Sequence, residues 1–219
     1  MTGTGGIESL YPFLYAGQAD TDAVLAEVSR STAEKAAEIA ALRDDMAARY
    51  AGRLEDCARA MARSFAGGGK LFTFGNGGSS TDAQDVAQLF LHPPAGCRPV
   101  AAASLAHDVA VLTALSNDIG FDVVFARQLA AFARPGDVAL GLSTSGGSAN
   151  VLRAFEEAGR RGLVTVGLAG YDGGKMAEAG TIGFLFVVPS ESVHRIQEAQ
   201  TTLYHVLWEL AQAALAGRL

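Results

Sequence analysis

Cysteine is scarce in this sequence: Cys57 and Cys97 are the only two among 219 residues. Neither forms a C-x-x-C pair or a Cys/His cluster with structural-zinc spacing, so a disulfide framework and a zinc-stabilised fold are excluded. We expect both thiols to be packing residues in a reducing compartment. The N-terminus has no basic segment and its apolar patch at 11–15 contains proline, so we expect no signal peptide and a cytoplasmic protein.

Positive charge is also scarce, since 17 Lys and Arg stand against 23 Asp and Glu, a net charge of −6. A nucleic-acid surface needs clustered cations, so we expect no direct contact with nucleic acid. A bound phosphate would have to be held mainly by backbone and hydroxyl groups. No apolar run approaches the roughly 20 residues that span a bilayer, so we expect no transmembrane helix.

The N-terminal third has a helical pattern. Between Thr21 and Phe65 there is no proline and apolar residues recur at helical spacing. A break at residues 50–52 predicts two helices or one bent helix, which ends at Gly67–Gly69. Residues 1–18 show no pattern, and we assign residues 19–219 to one domain whose N-terminal helical region is 19–67.

After this region, short apolar runs alternate with helical segments. Such runs are typical of buried parallel strands joined by crossover helices, which predicts a three-layer α/β sandwich. The predicted strands are 71–74, 100–103, 138–142, 164–168 and 182–188, and the predicted helices are 79–91, 108–133, 148–160, 174–179 and 193–215. The last helix is long for this domain, and with the N-terminal helices it favours an oligomer.

Two loops rich in glycine and hydroxyl groups each follow a predicted strand and precede a predicted helix. They are Gly75–Ser80 and Ser143–Ser148, and the second has four hydroxyls in six residues. Ligands bind at strand ends in open α/β sheets, and helix N-termini favour anions, so both loops indicate a phosphate. The alternative is ordinary turn chemistry with Ser148 as a helix N-cap.

Nucleotide-binding motifs do not fit these loops. The first lacks the G-x-G-x-x-G spacing, and the second predicted strand offers no carboxylate for a ribose. Gly69-Lys70 and Gly174-Lys175 are not followed by Ser or Thr, which excludes a Walker P-loop.

Six motifs in a consistent order resemble the sugar isomerase (SIS) domain family, in the branch of the phosphoheptose (sedoheptulose 7-phosphate) isomerases. That branch also contains a protein that binds the replication initiator DnaA. The motifs are GNGGS at 75–79, SNDIGF at 116–121, GDV at 136–138, LSTSGGSANV at 142–151, GYDGGKM at 170–176 and RIQE at 195–198.

The resemblance implies a five-stranded parallel sheet of flavodoxin-like topology, terminal helices that form a homotetramer, and a sugar phosphate as ligand. The implied binding residues are Asn76, Gly77, Gly78, Ser79, Asp118, Ser143, Thr144, Ser145, Ser148 and Gln197. Asp118 has a helix-capping alternative, and an amino-sugar phosphate stays open as the ligand.

Aldose–ketose isomerisation needs a base and an acid near the sugar carbonyl. The resemblance implies His205 as one of them, but Leu89 stands at the position of the family's catalytic glutamate. Asp85 replaces a family histidine one turn earlier and is the nearest substitute base, and His194 replaces a family carboxylate.

Some relatives bind zinc at the positions of Asp85, Leu89, Gln197 and His205. Leucine offers no ligand atom, so we expect no cofactor, with Asp85, Gln197 and His205 as weak metal candidates. Two functions stay open: a phosphoheptose isomerase that forms D-glycero-D-manno-heptose 7-phosphate, and a non-catalytic phosphosugar sensor or initiator-associating regulator.

Overall fold

The computed structural model describes residues 21–219. Their contacts divide after Ala41 into two units. In the first, the described residues are helical, Arg30 forms ion pairs with Glu27 and Glu34, and Val24 and Val28 are exposed. The second unit starts at Leu42 and contains the whole sheet.

The sheet has five parallel strands in the order β2-β1-β3-β4-β5. The strands are β1 (Leu71–Gly75), β2 (Ala102–Ser104), β3 (Val138–Ser143), β4 (Val164–Gly170) and β5 (Phe184–Val188). Helices cover both faces, which confirms the three-layer sandwich of flavodoxin-like topology. β1 and β3 are buried at every position, because a parallel sheet between helices has no solvent-facing side.

Seven α-helices lie in the described part of the chain. They are α1 (Thr21–Ala66), α2 (Gly78–Leu91), α3 (Val109–Asp118), α4 (Val124–Phe132), α5 (Ala149–Arg160), α6 (Gly174–Glu178) and α7 (Val193–Leu215). Of the two alternatives at residues 50–52, two separate helices is wrong, since α1 is helical throughout and Gly52 has open space around it. A glycine in a helix costs only about 1 kcal/mol relative to alanine, which packing of the flanking turns offsets.

The helix expected over 108–133 is also interrupted. Residues 121–123 form a short 3-10 turn between α3 and α4, which begins after Gly120 at φ +144°. An L-residue rarely adopts that backbone angle, so the chain turns there instead of continuing as a helix. The interruption brings α4 against α5 on one face of the sheet.

The core below this face is aromatic. The ring of Phe74 packs against Phe125 at 5.6 Å and against Phe155 at 5.2 Å between centroids. Each ring is at most 1% exposed, and burial of such a side chain stabilises the fold by about 1.5–3 kcal/mol. Cys57 is fully buried, as expected for a packing residue, and burial raises the pKa of its thiol to about 12. Within residues 21–219, no helix is long and apolar enough to cross a membrane.

Candidate functional site

The two hydroxyl-rich loops lie side by side at the carboxyl edge of the sheet. The first joins β1 to α2 and the second joins β3 to α5, and β1 and β3 are neighbours in the sheet. The next two strands along the chain, β2 and β3, lie on opposite sides of β1. The carboxyl ends of β1 and β3 are therefore the topological switch point, where open α/β sheets bind ligands. We call the two loops together the cradle (residues 75–80 and 143–148).

A reciprocal amide pair links the first loop of the cradle to the first turn of α5, which follows the second loop. Asn76 donates from Nδ2 to Oδ1 of Asn150 at 2.9 Å, and Asn150 donates from Nδ2 to Oδ1 of Asn76 at 2.8 Å. Asn150 is 3% exposed, so neither hydrogen bond is fully open to competition from water. The sequence indicated Asn76 as a ligand-binding residue, which stays a prediction; in the structure its amide is bonded to Asn150 at the start of α5. Asn150 was missed, although it lies inside the quoted motif at 142–151.

Two hydroxyls of the second loop lie within hydrogen-bond distance of each other. Ser143 Oγ lies 3.0 Å from Ser148 Oγ, and Ser145 Oγ accepts a hydrogen bond from the Gly147 N–H at 3.2 Å. Ser148 is the N-cap residue of α5 by position, but its side chain makes no capping hydrogen bond. The hydroxyl of Ser148 is therefore not committed to turn chemistry, in contrast to the N-cap alternative. Neither loop of the cradle contains an ionisable side chain.

Gly146 is required by close packing in this loop. Its φ is +63°, and a Cβ atom there would lie 2.0 Å from the carbonyl oxygen of Gly173. Only glycine tolerates both the backbone angle and the contact. The carbonyl of Gly146 accepts the Met176 N–H at 2.9 Å, so the loop after β4 supports the loop after β3.

Ser79 in the first loop is 4% exposed and occupies the second position of α2. The hydroxyls of Ser80 and Thr81 return to the carbonyls of Gly77 and Gly78, at 2.7 and 2.6 Å. Among these three hydroxyls, that of Ser79 does not donate to a carbonyl of the preceding turn. The first turn of a helix also presents backbone N–H groups, which favours an anion at this position.

The space beside Gly78 is filled by a side chain of α7, which the sequence did not indicate. A Cβ atom on Gly78 would lie 2.1 Å from Nε2 of Gln197, so the amide of Gln197 takes the space of the missing side chain. This contact brings α7 against the first turn of α2 and places Gln197 beside the cradle. Gly78 thus has a contact within the protein, and its contact with a ligand stays a prediction.

The contact continues along both helices, and we call it the α2–α7 seam (Gly78, Asp82, Asp85 and Leu89 on α2; Gln197, Gln200, Tyr204 and His205 on α7). Tyr204 donates its hydroxyl hydrogen to Oδ2 of Asp85 at 2.9 Å. Gly78–Gln197 and Asp85–Tyr204 are each separated by 119 positions, so the helices run parallel and in register. Leu89 shares the helical face of Asp82 and Asp85.

His205 and Tyr204 are stacked, with ring centroids 4.9 Å apart. Nδ1 of His205 lies 2.8 Å from the carbonyl oxygen of Thr201, which makes Nδ1 the donor and leaves Nε2 as the acceptor nitrogen. Burial raises the pKa of Tyr204, and the negative charges of Asp85 and Asp82 add to the effect. Tyr204 therefore stays a neutral donor. The sequence missed this tyrosine, whose only signal was its position beside His205.

Asp82 is the titratable group of the seam that the sequence did not single out. Desolvation, and then the negative charge of Asp85, raise the pKa of Asp82 to about 6. Its Oδ2 atom is buried and has no hydrogen-bond partner. The neighbouring Asp85, which we expected to be the substitute base, is exposed and accepts the Tyr204 hydroxyl.

The remaining expected residues lie apart from these contacts. Asp118 is exposed and accepts a hydrogen bond from Asn117 Nδ2 at 2.8 Å. It is the last residue of α3, so the alternative that it caps a helix is wrong. His194 is exposed in the first turn of α7. Glu198 accepts a hydrogen bond from Arg195 at 2.6 Å.

The positions that the resemblance assigns to zinc do not fit a four-ligand site. Leu89 offers no donor atom, Asp85 already accepts the Tyr204 hydroxyl, and the Gln197 amide is packed on Gly78. Residues 21–219 contain no group of three or more His, Cys, Asp or Glu side chains arranged to hold a metal ion.

The fold and the site together define an α/β protein of flavodoxin-like topology with two hydroxyl-rich loops at the switch point of its sheet. Comparison with known proteins is more specific. Residues 36–170 match the SIS domain. The chain is 42% identical to the phosphoheptose isomerase of Aquifex aeolicus over 170 residues, 77% of this chain and 88% of that protein. It is 44% identical to the phosphoheptose isomerase of Paramagnetospirillum magneticum over 159 residues, 72% and 82% of the two chains.

Solved structures give the same result. Phosphoheptose isomerase GmhA from Neisseria gonorrhoeae matches with a TM-score of 0.78 at 34% identity, over 85% of this chain and 99% of that one. The chain belongs to the SIS domain family, and its curated and structural relatives named above are phosphoheptose isomerases.

Proposed function

We propose that this chain binds a phosphorylated sugar, with the phosphate in the cradle and the sugar along the α2–α7 seam. The observation that carries the proposal is the pair of hydroxyl-rich loops held together by Asn76 and Asn150 at the switch point. Ser79, Ser143, Thr144, Ser145 and Ser148 would supply hydroxyls, and helix N-termini would supply N–H groups, so no cation is needed. Gly77 and Gln197 would border the ligand.

We further propose that the ligand is sedoheptulose 7-phosphate, and that the reaction is its isomerisation to D-glycero-D-manno-heptose 7-phosphate. The similarity to phosphoheptose isomerases supports the substrate. His205 supports the chemistry, because Nε2 is free of the Thr201 contact and can accept or return a proton on a sugar oxygen. Asp85 would remove the proton from the sugar carbon. Because Leu89 replaces the catalytic glutamate of the family, turnover is tested separately from binding.

The alternative function is a phosphosugar sensor without chemistry, or a regulator that docks an initiator protein. One observation favours it: at the glutamate position of the family stands Leu89, which cannot accept a proton. We also propose a homotetramer assembled through the terminal helices, which the exposed Val24, Leu25 and Val28 of α1 support. Sedimentation that shows only a 22.6 kDa species at micromolar concentration would contradict it. The cytoplasmic location stays a prediction from the sequence.

A coupled assay with sedoheptulose 7-phosphate, run beside calorimetric binding of the same compound, tests the proposal. The enzyme function predicts turnover that His205→Ala abolishes while binding persists. Binding without turnover would assign the sensor function. Absence of both would contradict the proposed ligand.

A further inference from the structure

A single residue other than glycine has a positive φ within residues 21–219. It is Tyr171, at φ +54°, which directly follows β4. A tyrosine rarely adopts this left-handed conformation, because its Cβ atom approaches the following carbonyl oxygen, whereas glycine and asparagine adopt it readily. Non-glycine residues in this conformation cluster at ligand-binding and catalytic sites, where the surrounding structure holds them against the local cost.

The side chain of Tyr171 is accessible. It is 38% exposed, and its hydroxyl makes no hydrogen bond with any other residue in the range 21–219. The two other tyrosines in this range are committed to the fold: the hydroxyl of Tyr50 bonds to the backbone of Val187 at 3.0 and 3.2 Å, and that of Tyr204 bonds to Asp85 at 2.9 Å. Tyr171 thus combines an unfavourable backbone conformation with a side chain that is open to solvent.

The loop that carries Tyr171 is fixed to the second loop of the cradle. Just before the tyrosine, the Gly170 N–H donates to the Thr144 carbonyl at 2.9 Å, and a Cβ atom on Gly174 would lie 2.5 Å from the Ser145 carbonyl oxygen. β3 and β4 are neighbours in the sheet, so the two loops start about 5 Å apart at its carboxyl edge. The position of Tyr171 is therefore set relative to the residues proposed to hold the phosphate.

Tyr171 also lines an open cleft between the loops that follow β4 and β5. The cleft has a volume of about 630 Å³, and we call it the β4–β5 cleft (Tyr171, Asp172, Pro189, Ser190 and Glu191). An aromatic face can pack on the C–H groups of a sugar, and carboxylates and a serine hydroxyl can accept hydrogen bonds from its hydroxyls. None of these five residues carries a positive charge, so the cleft suits a neutral polyhydroxylated chain better than a second phosphate.

The first turn of α7 joins this cleft to the cradle. Ser190 Oγ accepts the Ser192 N–H at 3.2 Å, and Ser192 is the N-cap of α7. Gln197 of the same helix lies against Gly78 of the first cradle loop. Ser192 and Gln197 are about 8 Å apart along the helix axis, which is comparable with the length of an extended heptose. A sugar that leaves the cradle toward the seam therefore passes within reach of the cleft.

We propose that Tyr171 is a specificity-determining residue whose ring packs on the carbon chain of the phosphosugar where that chain leaves the cradle. The β4–β5 cleft receives the hydroxyls of this part of the chain. The inference deepens the proposed function and rests on it, because the phosphate in the cradle places the chain beside the ring. The ring then adds affinity for the sugar and none for the phosphate, which makes the ligand class a phosphate ester of an extended polyhydroxylated chain.

The test compares the wild type with Tyr171→Phe, which keeps the ring, and with Tyr171→Asn, which adopts the same backbone conformation without a ring. In calorimetry with sedoheptulose 7-phosphate, we expect Tyr171→Phe to bind within about twofold of the wild type and Tyr171→Asn to bind about tenfold more weakly. The affinity for inorganic phosphate, measured by displacement of the same sugar, is expected to be equal in all three proteins.

Phe132→Asn is the matched control for the loss of an accessible ring. Phe132 is 59% exposed at the end of α4, and β3 begins shortly after it, so its ring lies at the opposite edge of the sheet from the cradle. We expect this variant to bind both compounds as the wild type does.

Urea unfolding separates the proposed role from a structural one. Asparagine fits φ +54° and the ring of Tyr171 is partly exposed, so we expect a urea midpoint for Tyr171→Asn that is no lower than that of the wild type. A midpoint that falls together with the affinity would assign the ring a packing role and overturn the inference. If Tyr171→Asn does not fold, Tyr171→Gly takes its place in the comparison.

Three binding results would also overturn the inference: wild-type affinity for sedoheptulose 7-phosphate in Tyr171→Asn, equal losses for this sugar and for inorganic phosphate, or a loss in Tyr171→Phe as large as in Tyr171→Asn. No binding of sedoheptulose 7-phosphate by the wild type would instead overturn the proposed function, and the inference with it.

Discussion

The amide pair between Asn76 and Asn150 is the contact whose removal tests the cradle most specifically. Asn150→Ala deletes both hydrogen bonds, at 2.9 and 2.8 Å, and leaves the half-buried Asn76 amide with water as its remaining source of partners. A neutral hydrogen bond contributes about 0.5–1.5 kcal/mol net, so two of them predict a loss of about 1–3 kcal/mol in the free energy of unfolding.

A double-mutant cycle separates the pair from its surroundings. Asn76→Ala, Asn150→Ala and the double variant are unfolded with urea, and the coupling energy is taken from the four values. We expect a coupling of about 1–2 kcal/mol, because each single variant already removes both hydrogen bonds. Additive effects, with coupling below about 0.3 kcal/mol, would refute the pair as a link between the loops.

The same variants connect the link to binding. If the pair sets the distance between the two halves of the cradle, each single variant lowers the affinity for sedoheptulose 7-phosphate, and the double variant lowers it no further. Thr113→Ala is a control outside the cradle and the seam, because its exposed hydroxyl bonds back to the Val109 and Ala110 carbonyls at 2.7 and 3.2 Å within α3. Full affinity in Asn150→Ala would contradict the role of the pair in binding.

Four further outcomes are expected. Ser143→Ala with Ser145→Ala weakens binding of the phosphosugar by about 1–3 kcal/mol in calorimetry, and unchanged affinity would reject these hydroxyls as phosphate ligands. Gly146→Ala lowers the unfolding temperature and the affinity together, because its Cβ meets the Gly173 carbonyl at 2.0 Å; wild-type behaviour in both would show that the loop can yield. Leu89→Glu raises isomerase activity in the coupled assay if the lost carboxylate alone limits turnover, and no gain would place the limit elsewhere in the seam. Asp82→Asn stabilises the free protein more at pH 8 than at pH 4 in thermal unfolding. Folding raises the pKa of the Asp82 carboxyl to about 6, so its ionisation destabilises the folded wild type above that pH and has no effect at low pH. Equal stabilisation at both pH values would contradict the buried position of the carboxyl.

Much of the fold could be predicted because hydrophobic periodicity reports burial directly. β1, β3 and nearly all of β4 are buried between helices and are rich in apolar residues, and α7 was predicted at its observed bounds, 193–215. The turn at Gly120 was missed because a backbone angle of +144° is a local steric property, and one glycine in an apolar stretch does not reveal it. At Gly52 the error was the opposite, because two separate helices were one of the expectations and the helix is continuous. Gly52 faces solvent with no neighbour within 4 Å, so the helix continues through it.

The candidate site was only half predictable from the sequence. The hydroxyl-rich loops were visible as motifs, and strand order alone brings them together. The partners of those motifs were not visible: Asn150 pairs with a residue 74 positions away, and the seam depends on a register between helices 119 positions apart. No local pattern encodes such pairings, which arise from how α2 and α7 pack. For the same reason Asp82 could not be distinguished from Asp85.

The most direct test of the cradle compares sedoheptulose 7-phosphate with unphosphorylated sedoheptulose by calorimetry at fixed pH and ionic strength. If the loops at residues 75–80 and 143–148 hold the phosphate, the phosphorylated sugar binds and the free sugar shows no measurable heat. In the Ser143→Ala, Ser145→Ala variant the difference between the two sugars shrinks. Equal affinity for the two compounds, or no affinity for either, would contradict the account.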